Sequence, residues 1–298
     1  MLAVHSLTKR FGKTVAVDDL SFEVAAGRIM GFLGPNGAGK TTTLRSMLGL
    51  CVPTSGSATI DGRRYAQLRD PIRRVGAVLD GPQFHPGRSG RNHLRALALG
   101  AGLPRSRVAE VLVLVELVGA ADRRVKGYSQ GMRQRLSLAA ALLGDPQALI
   151  LDEPANGLDP QGIRWLRDFL RSLGAEGRTI LVSSHVLAEI AQTVDEVVVI
   201  HRGRLVTAGS VDELTRGARA RVLVRSPAAE RLAEALAAKG IEAERLDGDL
   251  LVGRNTSGEA IGTTAAEQGI ALYELTPQGS TLEDVFLELT ADEPGGSG

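Results

Sequence analysis

The chain has 298 residues, 43% hydrophobic but only 3% aromatic, with a formal net charge of +1; this suits one large or two ordinary domains around a mostly aliphatic core. Its single cysteine, Cys51, excludes an internal disulfide or a cysteine-cluster metal site and reads as a buried apolar side chain at a helix end. Residues 211–298 carry 16 acidic and 8 basic side chains against 18 and 27 in the remainder, but a basic body alone does not choose between phosphate ligands, acidic membrane surfaces and nucleic acid.

His5, Lys9 and Arg10 interrupt the first residues, which argues against a secretory signal. No uninterrupted apolar stretch approaches the roughly 18–20 residues of a membrane span. The best candidate, residues 108–118, contains Glu110 and Glu116 and fits an amphipathic helix. The expectation is a soluble, cytosolic chain.

In chain order, residues 2–10 and 14–24 read as strands around a turn at Phe11-Gly12-Lys13. A strand over 28–33 leads into Gly34-Pro35-Asn36-Gly37-Ala38-Gly39-Lys40-Thr41, and a helix over 42–50, opening at Thr42, follows. That segment fits G-x-x-x-x-G-K-[ST], and the strand–loop–helix context is what the phosphate-cradling P-loop requires. Its glycines let backbone N–H groups turn inward, and the helix presents its positive end to phosphate. Lys40 would bridge the β- and γ-phosphates of a nucleoside triphosphate, and the Thr41 hydroxyl would ligate Mg²⁺.

Strands follow over 57–62 and 74–79, then a turn-rich segment over 81–90. Helical periodicity runs from 92 to 143 with breaks near Gly100 and Gly119. The apolar run 148–151 reads as a strand buried on both faces. After it come a helix over 161–175, a strand over 179–182, a helix over 186–194 and a hairpin of 196–201 with 204–208. Beyond Arg216-Gly217-Ala218-Arg219 the pattern becomes strand (221–225), helix (228–239), strands (241–246 and 249–252), helix (258–268), strand (270–275) and helix (281–289). This βαββαβ order is compatible with a small ferredoxin-like domain.

Three further segments narrow the choice among P-loop proteins. Tyr128-Ser129-Gln130-Gly131-Met132 opens a helix, Ala148–Leu151 ends in Asp152-Glu153-Pro154, and Ser183-Ser184-His185 caps the next strand. In this order, with the P-loop, residues 2–215 resemble the ATP-binding-cassette ATPases. The resemblance implies an α/β fold: a P-loop NTPase core (1–215) with an antiparallel β subdomain and a helical subdomain over about 82–145. A small α+β, ferredoxin-like accessory domain (216–290) and a disordered tail (291–298) would follow.

The resemblance also implies roles. Asp152 would hold Mg²⁺, Glu153 would polarise the attacking water as general base, and His185 would contact the γ-phosphate of ATP. Ser129 and Gly131 would meet the γ-phosphate bound to a second copy, Asp159 would couple the two sites, and Phe11 would stack on adenine. The implied assembly is a head-to-tail dimer with two ATPs at its interface. Two departures stand out: Asp80 occupies the position where glutamine is usual, leaving its metal contact in question, and the signature reads Tyr-Ser-Gln-Gly-Met.

Thr41 and Ser129 are 88 positions apart, which leaves no room for the long coiled coil of DNA-repair relatives. The chain also lacks the second cassette of translation factors. The expected role is the ATP-binding subunit of an exporter, working with separate integral-membrane permease subunits at the inner face of the cell membrane, with no nucleic acid partner. Residues 280–290 resemble the ending common in ATPases of bacterial drug- and antibiotic-export systems. The alternatives are a soluble cassette ATPase acting on ribosomes or nucleic acid, a self-resistance factor without a pump, or an importer subunit.

Overall fold

A computed structural model describes residues 1–79, 84–186, 190–217, 221–254 and 256–278. The chain divides into two compact units, Met1–Ser210 and Val211–Gly298.

The first unit opens with β1 (Leu2–Phe11) and β2 (Thr14–Val24), an antiparallel hairpin. Alternation along β2 buries Val17, Leu20, Phe22 and Val24, as expected of strands with one face on a core. β3 (Ile29–Leu33) then crosses into a second sheet, and β4 (Ser55–Ile60) returns to pair with β1, completing a three-stranded sheet of order β2-β1-β4.

The second sheet adds β5 (Val75–Val78), β6 (Ala148–Leu151), β7 (Thr179–Ser184), β8 (Glu196–His201) and β9 (Arg204–Ser210), in the order β5-β6-β7-β3-β8-β9. All its pairings are parallel except β8 with β9. β3, β6 and β7 are buried end to end, in keeping with the apolar runs of β3 and β6 and the Ile180-Leu181-Val182 centre of β7. Phe22 and Phe32 pack ring against ring at 5.1 Å, joining the two sheets in one core.

Six helices are described in this unit: α1 (Lys40–Met47), α2 (Pro71–Arg74), α3 (Gly90–Gly100), α4 (Ser106–Leu114), α5 (Gln130–Ala141) and α6 (Pro160–Ala175). Side-chain oxygens cap three of them. Ser89 accepts from Asn92 N at 3.3 Å, Ser129 from Met132 N at 3.2 Å and Asp159 from Gly162 N at 2.8 Å, each satisfying an N–H that lacks an intrahelical partner. The helical pattern expected over 92–143 is thus three helices beginning at Gly90. Of the helix expected over 186–194, residues 187–189 lie outside the described residues. Cys51, expected to be buried, is half-buried in the loop after α1.

The second unit contains α7 (Val211–Gly217), β10 (Arg221–Arg225), α8 (Ala229–Ala238), β11 (Ala243–Asp247), β12 (Leu250–Arg254), α9 (Gly258–Glu267) and β13 (Glu274–Gln278). Its strands form an antiparallel sheet of order β11-β12-β10-β13. Val222, Val224 and Leu251 pack against Leu232, Leu236 and Ile261 in its core. The strand expected over 270–275 begins instead at Glu274. Ile270 is buried, and its N–H donates to Ala265 O at 2.8 Å, closing α9 rather than starting a strand. The expected helix over 281–289 and the tail lie outside the described residues. No helix among the described residues is long and apolar enough to cross a membrane.

Candidate functional site

The site grows from the ends of β3, β6 and β7, three adjacent parallel strands whose C-terminal ends share one edge of the sheet. After β3 the chain turns tightly into α1. A Cβ on Gly34 would lie 2.4 Å from Ile200 O, and one on Gly39 would lie 2.4 Å from Ala16 O. Gly39 also has φ +105°, so neither position admits a side chain without moving backbone. The loop is buttressed from far along the chain: Gly203 N donates to Ala38 O, and Asp18 N to Gly203 O, both at 2.9 Å.

Lys40 opens α1 and is only 5% exposed. Its Nζ donates to Gly34 O at 2.6 Å and Pro35 O at 3.2 Å, and lies 3.2 Å from Glu153 Oε1. A buried ammonium requires such partners. Thr41 Oγ1 donates to Asp152 Oδ2 at 2.8 Å.

Asp152 and Glu153 follow β6. The buried Asp152 carboxylate also accepts from Ser183 Oγ at 2.7 Å, and the same hydroxyl accepts from Glu153 N at 2.9 Å. Glu153 sits at φ +49°, the left-handed region that non-glycine residues seldom occupy. Its Oε2 is 2.8 Å from His185 Nδ1. Lys40, Glu153 and His185 therefore form a continuous polar chain across the ends of three strands. Ser183 is the member that sequence reasoning passed over: the Ser-Ser-His run was visible, but only the β6–β7 register shows which hydroxyl meets both carboxylate residues.

These groups line a cavity of about 970 Å³. Pro35, Asn36, Gly37, Gly39, Lys40, Thr41, Thr42, Asp152, Glu153 and His185 line it, together with Gln130, Arg133 and Gln134 of α5. Gly34 and Ala38 belong to the same loop but do not line the cavity. Ser129, Gly131, Asp159 and Phe11 are not in the wall. Ser129 and Asp159 cap α5 and α6, Gly131 is on the first turn of α5, and Phe11 is 54% exposed at the end of β1 with Lys9 Nζ 4.8 Å above its ring. Asp80 lies outside the described residues.

Among the described residues no group of three or more His, Cys, Asp and Glu side chains is placed so that it could hold a metal ion. A hydroxyl and a carboxylate 2.8 Å apart at Thr41 and Asp152 are hard oxygen donors of the kind Mg²⁺ takes when ligand phosphates supply the remainder, so these residues fit that ion.

Comparison with known proteins agrees with this geometry. The sequence model described as "ABC transporter" matches residues 17–156, and a model of a domain of unknown function matches residues 220–283. An uncharacterized ABC transporter ATP-binding protein of Bacillus subtilis, YhcH, is 36% identical over 298 residues, covering 98% of this chain and 96% of the relative. The bacitracin transport ATP-binding protein BcrA of Enterococcus faecalis is 42% identical over 217 residues, 72% of this chain and 70% of the relative. A solved dimeric ATP-binding cassette, in a post-hydrolysis state with ADP and phosphate, superposes with a TM-score of 0.63 at 22% identity, covering 70% of this chain and 98% of that one. With a relative so similar over nearly its whole length, and the P-loop and the two carboxylates after β6 in place, the chain belongs to the ATP-binding proteins of the ABC transporter family.

Proposed function

We propose that this chain is the ATP-hydrolysing subunit of an exporter of drugs, antibiotics or lipids, working as a head-to-tail dimer bound to separate membrane subunits at the inner face of the cell membrane. The observation that carries the ATPase chemistry is the Lys40–Glu153–His185 chain beside the P-loop cavity. Lys40, freed onto the β- and γ-phosphates, neutralises charge that grows as the γ-phosphoryl group transfers. Glu153 accepts a proton from the attacking water, and His185, bonded to the same carboxylate, orients Glu153 and the transferring phosphate. Thr41 and Asp152 would hold Mg²⁺, which when bound supplies Lewis-acid charge neutralisation. Ser183 fixes the Asp152 carboxylate and the Glu153 backbone together.

Transport of an antibiotic is supported by the likeness to BcrA, and dimerisation by the dimeric cassette that shares the fold. In that assembly Ser129 and Gly131 of one copy would face the γ-phosphate held by the other, with Asp159 between the sites and Phe11 against adenine. The second unit's strand order supports a ferredoxin-like accessory domain. Glu153→Gln removes the base and keeps the shape. It should retain ATP binding while kcat falls by about 10²–10⁴; steady-state turnover equal to wild type would reject the assignment.

A further inference from the structure

We infer that Arg135 is a positioning residue of the ATPase, fastening α5, which opens at the Ser129–Gly131 turn, to α6, which opens at Asp159. This rests on the function proposed above, in which both helix starts face the shared nucleotide sites.

The contact is built from two directions. The Arg135 guanidinium carbon lies 4.1 Å over the Trp165 ring of α6, while Nη1 donates to Glu116 Oε2 at 2.6 Å. Trp165 is itself backed by buried Phe169, stacked at 4.9 Å and 11°. Glu116 is held at φ +56°, so the carboxylate comes from a constrained turn after α4. A planar guanidinium can stack on a ring and bond a carboxylate in its own plane, whereas an ammonium is a point charge. The stacked and hydrogen-bonded guanidinium thus ties α5 both to α6 and to the turn after α4.

Arg135 does not line the P-loop cavity. Its loss therefore spares nucleotide capture by one subunit and disturbs the two-subunit site. The test uses the full chain, with three measurements: titration of a fluorescent ATP analogue, steady-state ATPase activity, and sedimentation of the ATP-driven dimer in a Glu153→Gln background. Arg135→Ala should keep analogue affinity within about twofold, while kcat and dimer affinity each fall at least about tenfold. Arg135→Lys should fall with it, although the charge is kept. Trp165→Phe, which keeps a ring, should stay within about threefold of wild type, and Trp165→Leu should follow Arg135→Ala.

Wild-type turnover and dimerisation in Arg135→Ala, full activity in Arg135→Lys, or loss of analogue affinity in step with kcat would overturn the assignment. Where Arg135→Ala does not fold, the Trp165 pair decides, and equal activities of Phe and Leu overturn it. A wild-type chain that turns over no ATP defeats the function proposed above; turnover with indifferent Arg135 variants defeats this inference alone.

Discussion

Lys40 is the residue on which the site's electrostatics turn: two carbonyl oxygens and the Glu153 carboxylate surround a nearly buried ammonium. Replacing it with alanine removes the cation that meets the phosphates. Lys40→Ala should weaken ATP binding by at least about tenfold, near 1.4 kcal/mol, in a nucleotide titration. Unchanged affinity would show that the P-loop backbone alone holds the phosphates. Lys40, Thr41, Asp152 and Glu153 could be found in the sequence because each follows a strand in a short, characteristic run. Ser183 and Arg135 could not: their roles depend on which strand or helix lies alongside, and no local pattern records that. The wall formed by Gln130, Arg133 and Gln134 was hidden in the same way, since helical periodicity shows which face is apolar but not what that face opposes.

At the scale of elements, α3 carries a group whose setting makes a pH prediction. His93 is buried, lies edge-on to Phe84 at 5.0 Å, and its Nδ1 has no hydrogen-bond partner among the described residues. Burial, and secondarily the charge of Arg88, hold its pKa below the ordinary value. The unfolded chain, with an ordinary histidine pKa of about 6.5, then binds the proton more readily than the folded one. The stability contributed by neutral His93 is full above that value and is lost as pH falls through the lower folded pKa. Urea midpoints measured from pH 7 to 5 should decline less steeply in His93→Leu than in wild type; identical slopes would refute this.

Elements also show where pattern reading stopped short. The strands 148–151 and 221–225 carried their own signal as apolar runs between breakers. β13 was displaced because Ile270 is an apolar residue that ends a helix, and because Pro277 sits inside the strand. Proline is tolerated there since β13 is at the edge of its sheet.

At the scale of the molecule, each unit has a hydrophobic core of its own, and the nucleotide cavity is lined wholly by the first. Scanning calorimetry should therefore resolve two transitions. Saturating Mg·ATP should raise only the one belonging to Met1–Ser210, by about 2.7 kcal/mol at a hundredfold excess over Kd. A single transition that moves as a whole would show the units melting together.

The buttress beneath the P-loop bears on how the chain is made. Ala38 and Asp18 are held by Gly203, in the turn between the last two strands of the first unit. During synthesis the phosphate motif leaves the ribosome early, yet its supporting turn is among the last parts of that unit to appear. Closing so long a loop is slow and entropically unfavourable until the intervening strands have paired. The segment that is easiest to recognise in the sequence thus gains its full backbone support only after residue 203 has been made.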